Sequence, residues 1–114
     1  MIALQKDYVM ADGNTGNYWV IQRINMDSVN ETASLVLFLY KDAATKAAGG
    51  IPMSAFELSV PTDDWDANLA EVVLLLVDVS PSVKMYPWVQ ANAVNTLRDK
   101  DGDPYTLADA TPVS

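Results

Sequence analysis

The residue types best suited to chemistry stand near the C-terminal end, where Asp99, Asp101 and Asp103 alternate with Lys100 and Gly102. Carboxylates at the first, third and fifth positions are how an EF-hand loop begins to coordinate calcium. That loop also needs a glycine at its sixth position, for a sharp turn, and a bidentate glutamate at its twelfth. Here the sixth position is Pro104 and the twelfth is Ala110. The proline ring fixes a negative φ, and alanine offers no side-chain oxygen. Asp109 falls one residue out of register, and no amphipathic exit helix follows. The stretch reads instead as a hairpin, with short strand-like runs at 95–98 and 104–108 joined by a polar turn. No metal is expected there.

A second acidic group, Asp63, Asp64 and Asp66, stands ahead of an apolar run. With Glu57 or Glu71 it could form the carboxylate pair of a hydrolase or ligate magnesium. Nothing in the spacing selects such a pair. Acids in that position suit the positive end of a helix dipole, so the helix reading is preferred. The chain has no cysteine and no histidine. Disulfides, thiolate nucleophiles, Cys-ligated metals and histidine-containing triads are therefore excluded. Ser28, Ser34, Ser54, Ser59, Ser80 and Ser82 lack a nucleophile-elbow context. The run GNTGN (13–17) lacks the lysine and spacing of a phosphate loop, and reads as a turn. Asn30–Thr32 fits the glycosylation acceptor pattern, which means little without a secretion signal. No catalytic residue and no cofactor is expected.

The 114 residues carry a formal net charge of −8 and are 50% hydrophobic. That suits one domain with a real core. The cations Lys6, Arg23, Lys41, Lys46, Lys84, Arg98 and Lys100 are scattered, so binding to nucleic acid or anionic lipid is not expected. The longest apolar run, VVLLLV at 72–77, is far too short to span a bilayer. The opening residues lead into a strand-like run rather than a signal peptide.

The first 60 residues read as a β-meander, with strands at 2–10, 18–26, 32–40 and 52–60. Turns fall at 11–17, where both glycines can take positive φ, and at 27–31. In the 32–40 run both faces are apolar, which predicts a strand covered on both sides. The Ala-rich stretch 41–50 predicts a short helix near 42–48, capped by Asp42 and ended by Gly49 and Gly50. The region 61–97 is ambiguous. Leu69, Val72, Val73 and Leu76 have helical spacing, yet 67–77 is also β-branched and short enough for a buried strand; helix is favoured. Pro81 and Pro87 limit any helix between them. The expected fold is mainly β, an antiparallel meander or sandwich with one or two short helices, in the α+β class.

Trp19, Trp65, Tyr86, Trp88 and Tyr105 are many large rings for one small domain. Most are expected in the core, and the remainder as anchors of a protein interface. The exposed edges of the 18–26 or 52–60 strands are expected to accept a strand from a neighbour.

The stretch from Gly13 to Met53 also resembles small structural proteins of bacteriophage and prophage tail modules. The pattern is a Gly-rich turn, then Tyr18 and Trp19, then Ile24, Asn25 and Val29, and finally Leu39, Tyr40, Lys41, Asp42 and Gly50. The likeness covers residues 8 to 60; the C-terminal part departs from it. It implies a non-enzymatic virion component of the tail tip or baseplate. Such a component would assemble in the host cytoplasm, contact other virion proteins, and form a homo-oligomer in the particle. The alternatives are a carbohydrate- or host-receptor-binding β-module, and a capsid decoration or head–tail connector protein. A small hydrolase or metal-dependent enzyme resting on Asp63, Asp64 and Asp66 is a third reading.

Overall fold

A computed structural model of the chain describes residues 3–27, 29–30, 32–59, 86–87, 89–91 and 97–113. The elements are β1 (Ala3–Val9), β2 (Thr15–Asp27), β3 (Thr32–Tyr40), α1 (Ala43–Ala47), β4 (Ser54–Ser59) and β5 (Thr111–Val113). Residues 86–87 and 89–91 are also helical. The strands form one open antiparallel sheet in the order β4-β3-β2-β1-β5. The mainly β, α+β expectation holds. The alternatives at 67–77 and the acids Asp63, Asp64, Asp66 and Glu71 lie outside the described residues.

The two faces of β3 follow directly from its alternation. Leu35, Leu37 and Leu39 are fully buried on one face, with Trp19, Leu58 and Leu4 beside them. Tyr86, Val89, Leu97, Leu107 and Ala110 complete this core from the C-terminal half. On the other face Tyr40 clusters with Tyr18 and Ala3, against Val20, Phe38 and Val113. The helix α1 packs beside β3. Asp42 stands at its N-cap, its carboxylate accepting the Thr45 backbone N–H at 2.7 Å, and Gly49 follows at φ +74°.

Three expectations are corrected. The first turn is complete within Met10–Asn14, so β2 starts at Thr15 rather than Tyr18. Met10 N–H donates to the Asn14 carbonyl, Gly13 N–H donates to that of Met10, and the Asp12 carboxylate accepts from Asn14. Only Gly13 of the two glycines takes positive φ. Second, β2 is the middle strand and β1 pairs with its Thr15–Trp19 part, whereas β4 ends the sheet among the described residues. Third, the expected terminal hairpin is short among the described residues, with one antiparallel bridge, Arg98 to Pro104, flanked by the Asp99–Asp103 and Tyr105–Leu97 backbone hydrogen bonds, and the chain continues into β5 on the outer edge of β1. Pro112 in that strand is tolerated because β5 lies at an edge.

Gly16 has a packing role instead of a conformational one. A β-carbon there would lie 2.9 Å from both Leu39 Cγ and Met53 Sδ and 3.0 Å from the Tyr40 carbonyl oxygen. Gly16→Ala should therefore destabilise the fold by about 1–3 kcal/mol, the usual range for overpacking. Urea unfolding checks this: the midpoint should fall, and an unchanged midpoint would show that the contact relaxes freely.

Candidate functional site

The densest meeting of polar and aromatic groups lies where the C-terminal segment crosses β1. It begins with an irregularity in pairing. β1 advances from Gln5 to Tyr8 while β2 retreats only from Tyr18 to Gly16. The extra residue is a β-bulge at Lys6–Asp7, and a bulge leaves backbone groups outside the ladder in need of other partners. Trp19 supplies one, its indole Nε1–H donating to the Lys6 carbonyl at 3.0 Å. Tyr105 supplies the other, its hydroxyl donating to the Asp7 carbonyl at 2.7 Å. The Tyr8 hydroxyl reaches across to the Arg98 carbonyl.

These rings also pack on one another. Tyr8 meets Trp19 edge-on with centroids 5.6 Å apart, and Tyr105 with centroids 5.0 Å apart. Phe56 closes the group against Trp19 at 5.4 Å. Edge-to-face pairs of this kind add about 0.5–1.5 kcal/mol beyond the area they bury. The Lys6 ammonium completes the cluster. It donates to the Thr106 carbonyl at 2.8 Å, pairs with the Asp109 carboxylate at 2.8 Å, and sits 4.6 Å from the centre of the Tyr105 ring. The hydrogen bond from Lys6 is the main cause holding the Asp109 carboxyl below its ordinary range.

Each sequence-predicted site residue has a place relative to this cluster. Trp19 is fully buried and Tyr86 nearly so, which makes both core residues rather than surface anchors. The Tyr86 hydroxyl accepts the backbone N–H of Ile21 at 3.1 Å, where β2 shifts its register against β3. Tyr105 is partly exposed, but its hydroxyl and one ring face are engaged within the fold. Trp65 and Trp88 lie outside the described residues. A sugar-stacking platform built on Trp19 is ruled out by its burial.

The Asp99–Asp103 stretch is a turn stabilised by its own carboxylate. Asp99 Oδ1 accepts the backbone N–H of Asp101 at 2.9 Å and of Asp103 at 3.0 Å. Gly102, at φ +83°, donates its N–H to the Asp99 carbonyl. Asp99 thus plays the role of a turn former. Among the described residues no group of three or more acidic side chains is placed to hold a metal ion. Nor, among them, is any helix long and apolar enough to cross a membrane.

On the opposite face α1 and β2 bound an open hollow of about 300 Å³, lined by Tyr18, Val20, Ala43, Lys46 and Ala47. Its lining offers one ammonium and one phenol, with no pair of groups placed for acid–base work. Lys46 itself lies 5.8 Å from the centre of the Tyr40 ring. Sequence reasoning missed the bulge cluster, because 2–10 reads as one unbroken strand. Compared with protein families, with curated proteins and with solved structures, the chain matches none.

Burial raises the pKa of Tyr8, Tyr86 and Tyr105, and for Tyr105 the neighbouring Asp109 and Asp7 add to it. A raised folded pKa means the folded state holds its proton longer. The associated stability is complete below the unfolded tyrosine value, about 10, and is lost as pH rises through the folded value. Absorbance titration of phenolate should show these rings ionising late, together with alkaline unfolding. In Tyr105→Phe the late step should shrink; a titration identical to wild type would contradict the buried assignment.

Proposed function

We propose that the chain is a non-enzymatic structural component of a bacteriophage virion, of the tail tip or baseplate class, working by protein–protein contact. The observation that carries this reading is the outer strand of the sheet. β4 (Ser54–Ser59) has β3 on one side and no backbone partner on its other side among the described residues. It contains neither the proline nor the lysine that usually blunts an edge, and Ala55, Glu57 and Ser59 are exposed along it. An extended segment of a neighbouring subunit would add there through main-chain hydrogen bonds, with alternate side chains selecting the partner.

The residues behind the sequence resemblance fit the same picture as framework. Tyr18 and Trp19 lie in β2, Leu39 and Tyr40 close β3, and Asp42 caps α1. The polar groups around the bulge and in the Asp99 turn are used to hold the fold, which suits a part whose work is to keep a shape. Partners on this reading are other virion proteins and further copies of the chain.

The test is sedimentation velocity of the purified protein, alone and mixed with individual candidate tail proteins. The reading predicts a defined multimer or a stoichiometric complex, weakened by Ala55→Lys, which places a charge on the exposed face of the β4 edge. A monomer that ignores every virion protein would sink it, and a glycan array would then test the receptor-binding alternative.

A further inference from the structure

We infer that residues 105–113 form a strap that opens as a unit ahead of the sheet, with Lys6 as its latch. The inference concerns the chain by itself and holds whatever it assembles with. The strap begins after the Asp99–Asp103 turn, whose internal hydrogen bonds make it a defined hinge. Its attachments among the described residues combine polar contacts with the packing of the Tyr105 ring on Tyr8 and Trp19 and of Leu107 and Ala110 in the core. Tyr105 bonds the Asp7 carbonyl, Thr106 and Asp109 bind Lys6, and Gln90 Nε2 donates to the carbonyls of Leu107 at 3.1 Å and Ala110 at 3.2 Å. Leu107 and Ala110 are its buried side chains.

The sheet is held differently. β2 and β3 pair from Tyr18↔Tyr40 to Asp27↔Thr32 with one register shift between Ile21 and Arg23, and Leu35, Leu37 and Leu39 are buried on one face of β3. Among the described residues β5 pairs with β1 at Ala3, Leu4 and Gln5, and its middle residue, Pro112, has no N–H to donate. Local opening free energies follow such differences in buried apolar contact and backbone pairing. Lys6 is the latch because its single ammonium joins two strap residues, 106 and 109, to the bulge and covers the ring of a third, 105. Opening would free the outer edge of β1 and bring water to the Tyr8–Trp19 pair.

Hydrogen–deuterium exchange with peptide-resolved mass spectrometry tests this on the full chain. In the wild type, peptides covering 105–113 should exchange well ahead of those covering β2 and β3. Lys6→Met, which keeps the apolar stem, should speed the strap about tenfold, as expected for losing one hydrogen bond and one ion pair, and leave β2 and β3 unchanged. Asp109→Asn should give a smaller acceleration confined to the same peptides. One common exchange rate for strap and sheet in the wild type would overturn the inference. Acceleration in Lys6→Met spread equally over all peptides, or none at all, would overturn the latch.

Discussion

The β-bulge at Lys6–Asp7 is the constraint on which the rest of the described structure depends. The Lys6 and Asp7 carbonyls lie at this irregularity, where the Trp19 indole N–H and the Tyr105 hydroxyl donate to them. An unpaired buried donor costs about 1–3 kcal/mol, and the Lys6 carbonyl at the irregularity satisfies the indole of the fully buried Trp19. The second freed carbonyl recruits Tyr105, and through Tyr105 the bulge fixes where the C-terminal segment crosses the sheet. Lys6 then holds that segment from outside through Thr106 and Asp109. One extra residue in an edge-proximal strand thus links the N-terminal strand, the core tryptophan and the last strand.

The same economy runs through the other polar groups. Asp42 caps a helix of one and a half turns, Asp12 and Asp99 each close a turn, and Tyr86 meets a backbone N–H at a second register shift. Each of these side chains resembles a candidate for chemistry when met in isolation, and each proves to satisfy a backbone group. Among the described residues β4 presents an unpaired strand edge outward, and the proposed assembly uses it.

Much of this was legible in the sequence, and the rest was hidden for physical reasons. The apolar alternation of Leu35 to Tyr40 announces a strand buried on both faces, and Asp42 with Gly49 marks both ends of α1. Pro104 and Ala110 were enough to read the Asp99–Asp103 run as a turn. The bulge was not legible, because the three polar residues Gln5, Lys6 and Asp7 carry no apolar phase in which an inserted residue could be seen. Gly16 was misread as a turn glycine, since the sequence does not distinguish freedom of φ from want of space beside Leu39 and Met53. β5 was missed because three residues with a proline among them carry no strand signal, and its pairing comes from tertiary placement. Of the five rings singled out, Trp19 and Tyr86 belong to the core, and no spacing rule separates core aromatics from surface ones.

The most direct measurement of the central claim is the exchange rate of the Trp19 indole proton, followed by NMR in the intact protein. A hydrogen bond to the Lys6 carbonyl inside a closed aromatic cluster predicts exchange far slower than that of a free indole, with a resonance that shifts when Tyr105 is replaced by Phe. An indole proton exchanging at the free rate, and blind to Tyr105, would mean that the bulge does not organise the fold.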